Sequence, residues 1–84
     1  MSARRQKTLE HIVDRPDRSD IPWQDIEELI IALGDDISEG RGSRVRIHLK
    51  GVRAVFHRPH PKRLTDKGAV SSMRKFLREA EVIS

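Results

Sequence analysis

His48, His57 and His60 fall in a stretch that also carries Arg41, Arg44, Arg46, Lys50, Arg53, Arg58, Lys62 and Arg63. Imidazole, with an ordinary pKa of about 6.5, can take or give a proton near neutrality, and guanidinium and ammonium groups bind phosphate. The stretch therefore holds the side chains needed for proton transfer at a polyanion. Between Arg41 and Arg63 there is no Asp or Glu. Any solvent-facing strand alternates charge, and Lys or Arg on an edge blunts aggregation, but a merely solubilising surface would be mixed in sign, so the single sign favours phosphate binding, whose affinity salt removes. The histidines also have a plainer reading, since an imidazole beside prolines in a surface loop is usually solvated or locally hydrogen bonded. His57-x-x-His60 makes an incomplete metal site: the chain has no Cys, no carboxylate adjoins the pair, and Pro59 prevents the helical spacing that a histidine pair usually adopts.

These residues need a scaffold, and the patterning supplies one. From Arg44 the period is two: Val45, Ile47 and Leu49 point one way, Arg44, Arg46, His48 and Lys50 the other. Gly51 is a natural turn residue. After it Val52, Ala54 and Phe56 alternate with Arg53, Val55 and His57, which predicts a second strand antiparallel to the first, with one apolar and one positive face. Asp36 to Glu39 is read as a short edge strand, with Gly40 and Gly42 bracketing Arg41 in a bend. Pro59 and Pro61 end the hairpin and stiffen a basic connection.

Helical periodicity brackets this sheet. Ile21 to Leu33 places Trp23, Ile26, Ile30 and Leu33 on one stripe, with Pro22 in the first turn and Gly34 as a left-handed cap. Trp23 can be read as a base-stacking ring, but at the head of that stripe it fits the core better. A last helix opens at Thr65 or Asp66 and runs to Ala80, burying Val70, Met73, Leu77 and Ala80 with Phe76 alongside. Lys67 stands where lysine and helix dipole together would favour a phosphate. Ala3 to Val13 forms a further helix whose Leu9, Ile12 and Val13 must pack on this domain or on another chain. Its Arg4, Arg5 and Lys7 either extend the basic surface or keep a terminal helix soluble. The expected division is residues 1–20 as helix and linker, and 21–84 as the basic domain.

With 84 residues, 36% hydrophobic content and a formal net charge of +4, the chain suits one small α+β domain: helix, three-stranded antiparallel sheet, helix, with an extra helix in front. The absence of cysteine excludes disulfides, thiolate metal sites and a cysteine nucleophile, and fits a reducing cytoplasm. No run is long enough to span a bilayer, and Glu10, Asp14 and Asp17 disfavour a membrane-surface role for the first helix.

Several segments together are similar to one family: Pro22-Trp23 opening a helix that ends in Leu33-Gly34, then Glu39-Gly40-Arg41-Gly42-Ser43, then Val55-Phe56-His57-Arg58-Pro59-His60-Pro61, then Lys67-Gly68-Ala69-Val70. The chain resembles the HicA toxins over Ile21 to Val82. The resemblance implies a fold like the double-stranded RNA-binding domain, the toxin role in a type II toxin-antitoxin system, metal-independent endoribonuclease activity on mRNA without a cofactor, and a HicB-type antitoxin that covers the active surface. It departs from many members at one place, because the histidine they carry after Gly-Ser is here Arg44, giving the Gly-Ser-Arg form. His60 matches the histidine of the second segment.

Metal-free RNA cleavage uses the 2′-OH as nucleophile. The protein must take its proton, give one to the leaving 5′-oxygen, and offset charge on the phosphorane. On this reading His57 and His60 are the candidate catalytic acid and base. Arg41, Ser43, Arg44, Arg46, His48, Arg53, Arg58, Lys62 and Lys67 are the candidate RNA contacts, with Arg44 and Arg46 on the phosphate. Two other readings stay open: a non-catalytic RNA-binding module of the same fold, and an interaction protein whose basic face docks an acidic partner.

Overall fold

The computed structural model describes residues 2–60 and 62–83, so the expected contribution of Pro61 lies outside the described residues. The order of elements is α1 (Ala3–Val13), β1 (Ile21–Pro22), α2 (Trp23–Ala32), β2 (Asp36–Glu39), β3 (Arg44–Leu49), β4 (Val52–His57), β5 (Leu64–Thr65) and α3 (Lys67–Glu79). Strands β2, β3 and β4 make the antiparallel sheet in that order, as the period-two pattern requires.

The hairpin register is set by a two-residue loop. Lys50 and Gly51 both take positive φ, 50° and 82°, the mirror-image turn whose twist matches the flanking strands. The loop closes on Leu49 and Val52, and the ladder continues through Ile47 with Ala54 and Val45 with Phe56. Val45, Ile47, Leu49 and Phe56 are buried on the inner face against Trp23, Ile26, Leu29 and Ile30 of α2 and Val70, Met73, Phe76 and Leu77 of α3. Phe56 is the hinge of this packing. Its ring lies 5.8 Å from that of Trp23 and meets that of Phe76 edge-on at 6.5 Å, tying both helices to the sheet. Both helices thus cover one face of the sheet, the α+β arrangement of a double-stranded RNA-binding domain, and the other face is left to solvent.

The start of α2 differs from the sequence reading. Ile21 and Pro22 are not in the first turn of α2 but form β1, paired antiparallel with Leu64 and Thr65 of β5. Pro22 is the N-cap with extended backbone (φ −61°, ψ 132°), and the Trp23 amide donates to the Arg63 carbonyl at 2.9 Å. Of the two openings the sequence offers for α3, Thr65 belongs to β5 and Asp66 is the cap, accepting from the Ala69 amide at 2.7 Å. Both short strands escape periodicity, since a two-residue pairing has no period to display. At its other end α2 stops as expected, with Gly34 at φ +93°.

Helix α1 packs on α2 and α3 of the same chain: Ile12 is fully buried and Leu9 partly, while Val13 stays exposed. Arg4 pairs with Asp25 of α2 at 2.8 Å, so this cation is engaged within the fold.

Asp35, between α2 and β2, accepts from the His48 amide at 2.6 Å, while its other carboxylate oxygen is buried without a partner. Burial pushes its pKa above the usual 3.8, against the lowering effect of the backbone hydrogen bonds. An acid whose folded pKa is raised favours the folded state most when protonated, and that contribution is lost as pH rises through the folded pKa. Asp35→Asn keeps the acceptor and removes the charge. The stability of the variant relative to wild type should therefore increase between pH 3 and pH 7 in denaturant titrations, and a pH-independent difference would refute the assignment.

Candidate functional site

Alternation along β2, β3 and β4 places the outward side chains in a grid. Asp36, His48 and Arg53 form one row, Ser38, Arg46 and Val55 the next, and Arg44 with His57 the last. All of them are exposed. A two-residue hairpin closes on a hydrogen-bonded pair, so the outward rungs Arg44 with His57, Arg46 with Val55, and His48 with Arg53 are of the non-hydrogen-bonded kind, whose side chains lie closest. The Arg58 amide, donating to the Ser43 carbonyl at 2.8 Å, continues the alternation.

Five residues singled out in the sequence, Arg44, Arg46, His48, Arg53 and His57, thus share one surface. An open groove of about 650 Å³ crosses it, lined on this side by Asp36, Ser38, Arg46, His48, Arg53 and Val55. His57 and Arg44 are partners across one rung, which puts an imidazole and a guanidinium side by side on the open face. His48 stands two rungs away, on the order of 13 Å along the strands at about 3.4 Å per residue, too far to act with His57 on one phosphate.

The other candidates lie around this face. Arg41 and Ser43 are exposed in the turn from β2 to β3, where the Arg44 amide donates to the Arg41 carbonyl at 3.2 Å and Gly42 takes φ +62°. His60 and Lys62 are exposed in the connection after β4. Lys67 is exposed in the first turn of α3, but the Asp66 carboxylate already occupies that helix end. The helix dipole there is met by a carboxylate, and Lys67 stands as an exposed cation beside it.

Arg58 is placed differently from the rest. It follows Phe56 by two residues and leaves the open face with it, reaching Glu27 of α2 (Nε to Oε2, 2.9 Å) and Glu39 of β2 (Nη1 to Oε1, 2.5 Å). These ion pairs hold its pKa above the usual arginine value, so the guanidinium is permanently charged. Trp23 is 5% exposed and its indole N–H donates to Glu27, which seats the ring in the core and not at a stacking platform.

The sequence reading omitted Val55 as a site residue, although it is 56% exposed at the middle of the grid; its outward parity was the available signal. It also omitted Asp36 and Ser38, which join the face through the register of β2. Among the described residues no three His, Asp or Glu side chains gather as a metal site, and no helix is long and apolar enough to cross a membrane.

None of the curated proteins and none of the solved structures matches the chain. The family model for the HicA toxin of bacterial toxin-antitoxin systems matches residues 23–82, from the first residue of α2 past the end of α3, and so takes in the whole three-stranded sheet and its open basic face. The chain belongs to the HicA toxin family.

Proposed function

We propose that the protein is the toxin of a type II toxin-antitoxin system that cleaves mRNA in the cytoplasm without a metal ion, and that a HicB-type antitoxin neutralises it by covering the open sheet face. The observation that carries this reading is the rung joining His57 to Arg44 on a surface that also presents Arg46 and Arg53. A backbone phosphate seated on the guanidinium groups would bring a 2′-OH within reach of an imidazole. His57 and His60 would divide the two proton steps, and Arg44 would offset charge on the phosphorane. Attack of the 2′-oxygen forms the new P–O bond, and the P–O5′ bond breaks as the 5′-oxygen takes a proton. An antitoxin that contributes acidic side chains to the same cations would exclude RNA by competition.

A second reading, RNA binding without cleavage, is supported by the departure at residue 44. A histidine there would face His57 across the rung, giving two imidazoles; this chain has one imidazole and one guanidinium.

The test is cleavage of a long mRNA by purified protein in excess EDTA, with RNA affinity measured at stepped salt. Wild type is expected to cleave. Arg44→Gln and Arg46→Gln are each expected to weaken binding by roughly tenfold at low salt and to reduce the slope of log affinity against log salt by about one. Salt-sensitive binding with no cleavage would establish the second reading. Binding indifferent to both arginines would remove the sheet face from either.

A further inference from the structure

Arg58 lies between the two candidate histidines in sequence, yet its cation is committed elsewhere. Glu27 receives it in a two-pronged contact, Nε to Oε2 at 2.9 Å and Nη2 to Oε1 at 3.3 Å, and Glu39 takes the remaining arm. Two carboxylates on one guanidinium leave a local excess of negative charge, which would repel a phosphate. The Arg58 amide meanwhile donates to the Ser43 carbonyl at 2.8 Å. One residue thereby joins α2, the end of β2, the Gly-Ser turn and the last rung of the hairpin. That rung is the one on which His57 faces Arg44.

We propose that Arg58 is a positioning residue: its clasp by Glu27 and Glu39 fixes the backbone at the end of β4 and so sets the His57 imidazole against Arg44. This rests on the ribonuclease reading above and assigns Arg58 to the mechanism through His57, not through the RNA. A guanidinium held from two elements, with its own amide tied to a third, restricts the residue after His57 far more than a solvated arginine would. Orientation matters because a displacement of about 1 Å at a reacting group can cost about a hundredfold in rate.

The clasp carries its own reporter, because Trp23, the only tryptophan, donates to Glu27. The test compares Glu39→Gln, Glu27→Gln, Arg58→Gln and the double variant Glu27→Gln with Arg58→Gln. The Glu39 side chain is 71% exposed, so its replacement leaves the fold intact even if the Glu27 variant does not fold. The measurements are kcat and KM for RNA, RNA affinity against salt, and the NMR signals of the Trp23 indole and the His57 ring.

Each single variant is expected to lower kcat by about 10-fold to 100-fold while KM and RNA affinity change by less than about threefold. The double variant should be no worse than Arg58→Gln, since partners in one contact are not additive. The His57 ring signals should move in every variant. Arg58→Gln that weakens RNA binding and lowers the salt slope by about one would overturn the proposal and make Arg58 a phosphate ligand. So would an unchanged kcat in variants whose Trp23 signal shows the clasp broken. Should wild type not cleave RNA at all, the ribonuclease reading falls by itself, and unmoved His57 signals would then overturn the positioning role independently.

Discussion

His57→Ala is expected to lower the rate of RNA cleavage by about 10²-fold to 10⁴-fold, the usual worth of a positioned proton-transfer group, while RNA affinity changes little. The split follows from the grid. On the proposed reading, binding would be distributed over Arg44, Arg46 and Arg53, whereas on the rung where the scissile phosphate would sit against Arg44 the facing residue is His57. His57 is exposed and on a strand end, so its truncation opens no cavity and the fold should survive. His60→Ala tests the second proton step. RNA with sulfur in place of the bridging 5′-oxygen has a leaving group that needs no proton. Recovery of a variant on that substrate marks the missing side chain as the acid; no recovery marks it as the base. A folded His57→Ala that cleaves ordinary RNA at the wild-type rate would end the assignment and move the proton transfer to another side chain.

The sheet face was legible because strand periodicity is strict. Once Val45, Ile47 and Leu49 were assigned inward, Arg44, Arg46 and His48 had to share the other face, and Gly51 fixed which residues of β4 would oppose them. The same rule, carried one residue further, already separated Arg58 from His57: residue 58 has the parity of Phe56, and Glu39, opposite Val45, has it too. Counting the cations between Arg41 and Arg63 gave a one-signed segment in which Arg58 looked like any other. Its partners lie outside that segment, in α2 and at the end of β2, and separations of 31 and 19 residues leave no local trace. The β1 and β5 pairing was hidden for a related reason, since Ile21 and Pro22 meet Thr65 and Leu64 only after the whole domain has closed.

The largest stability effect is expected at a residue with no functional candidacy. Arg74, 3% exposed, lies beside Met73 on the inner side of α3. Its Nε donates to the Ile12 carbonyl at 2.9 Å, and its Nη2 reaches the Asp14 carbonyl at 3.3 Å and the Asp17 carboxylate at 2.6 Å. The carbonyls at the end of α1 have no partners within the helix, and a cation there also meets the negative end of the dipole. The guanidinium thus closes α1, pins the segment that follows it, and fastens both to α3. Arg74→Met fills similar space but leaves the Ile12 carbonyl buried without a donor. The expected loss is about 3 kcal/mol, from the two hydrogen bonds that the buried guanidinium gives to the Ile12 and Asp14 carbonyls. For a domain of this size that corresponds to a fall in Tm of roughly 10 to 20 °C. The hydrogen bond from Arg74 holds the Asp17 pKa below its usual 3.8, so the contribution of Asp17 is present above that value and lost as pH falls through the lower folded pKa. The gap between wild type and Arg74→Met should therefore be full at pH 7 and narrow on acidification below about pH 4. Amide exchange in α1 should accelerate before that of the sheet. If the two proteins melt together at pH 7, or α1 keeps its protection in the variant, the helix is held by Ile12 and Leu9 alone and the guanidinium is incidental.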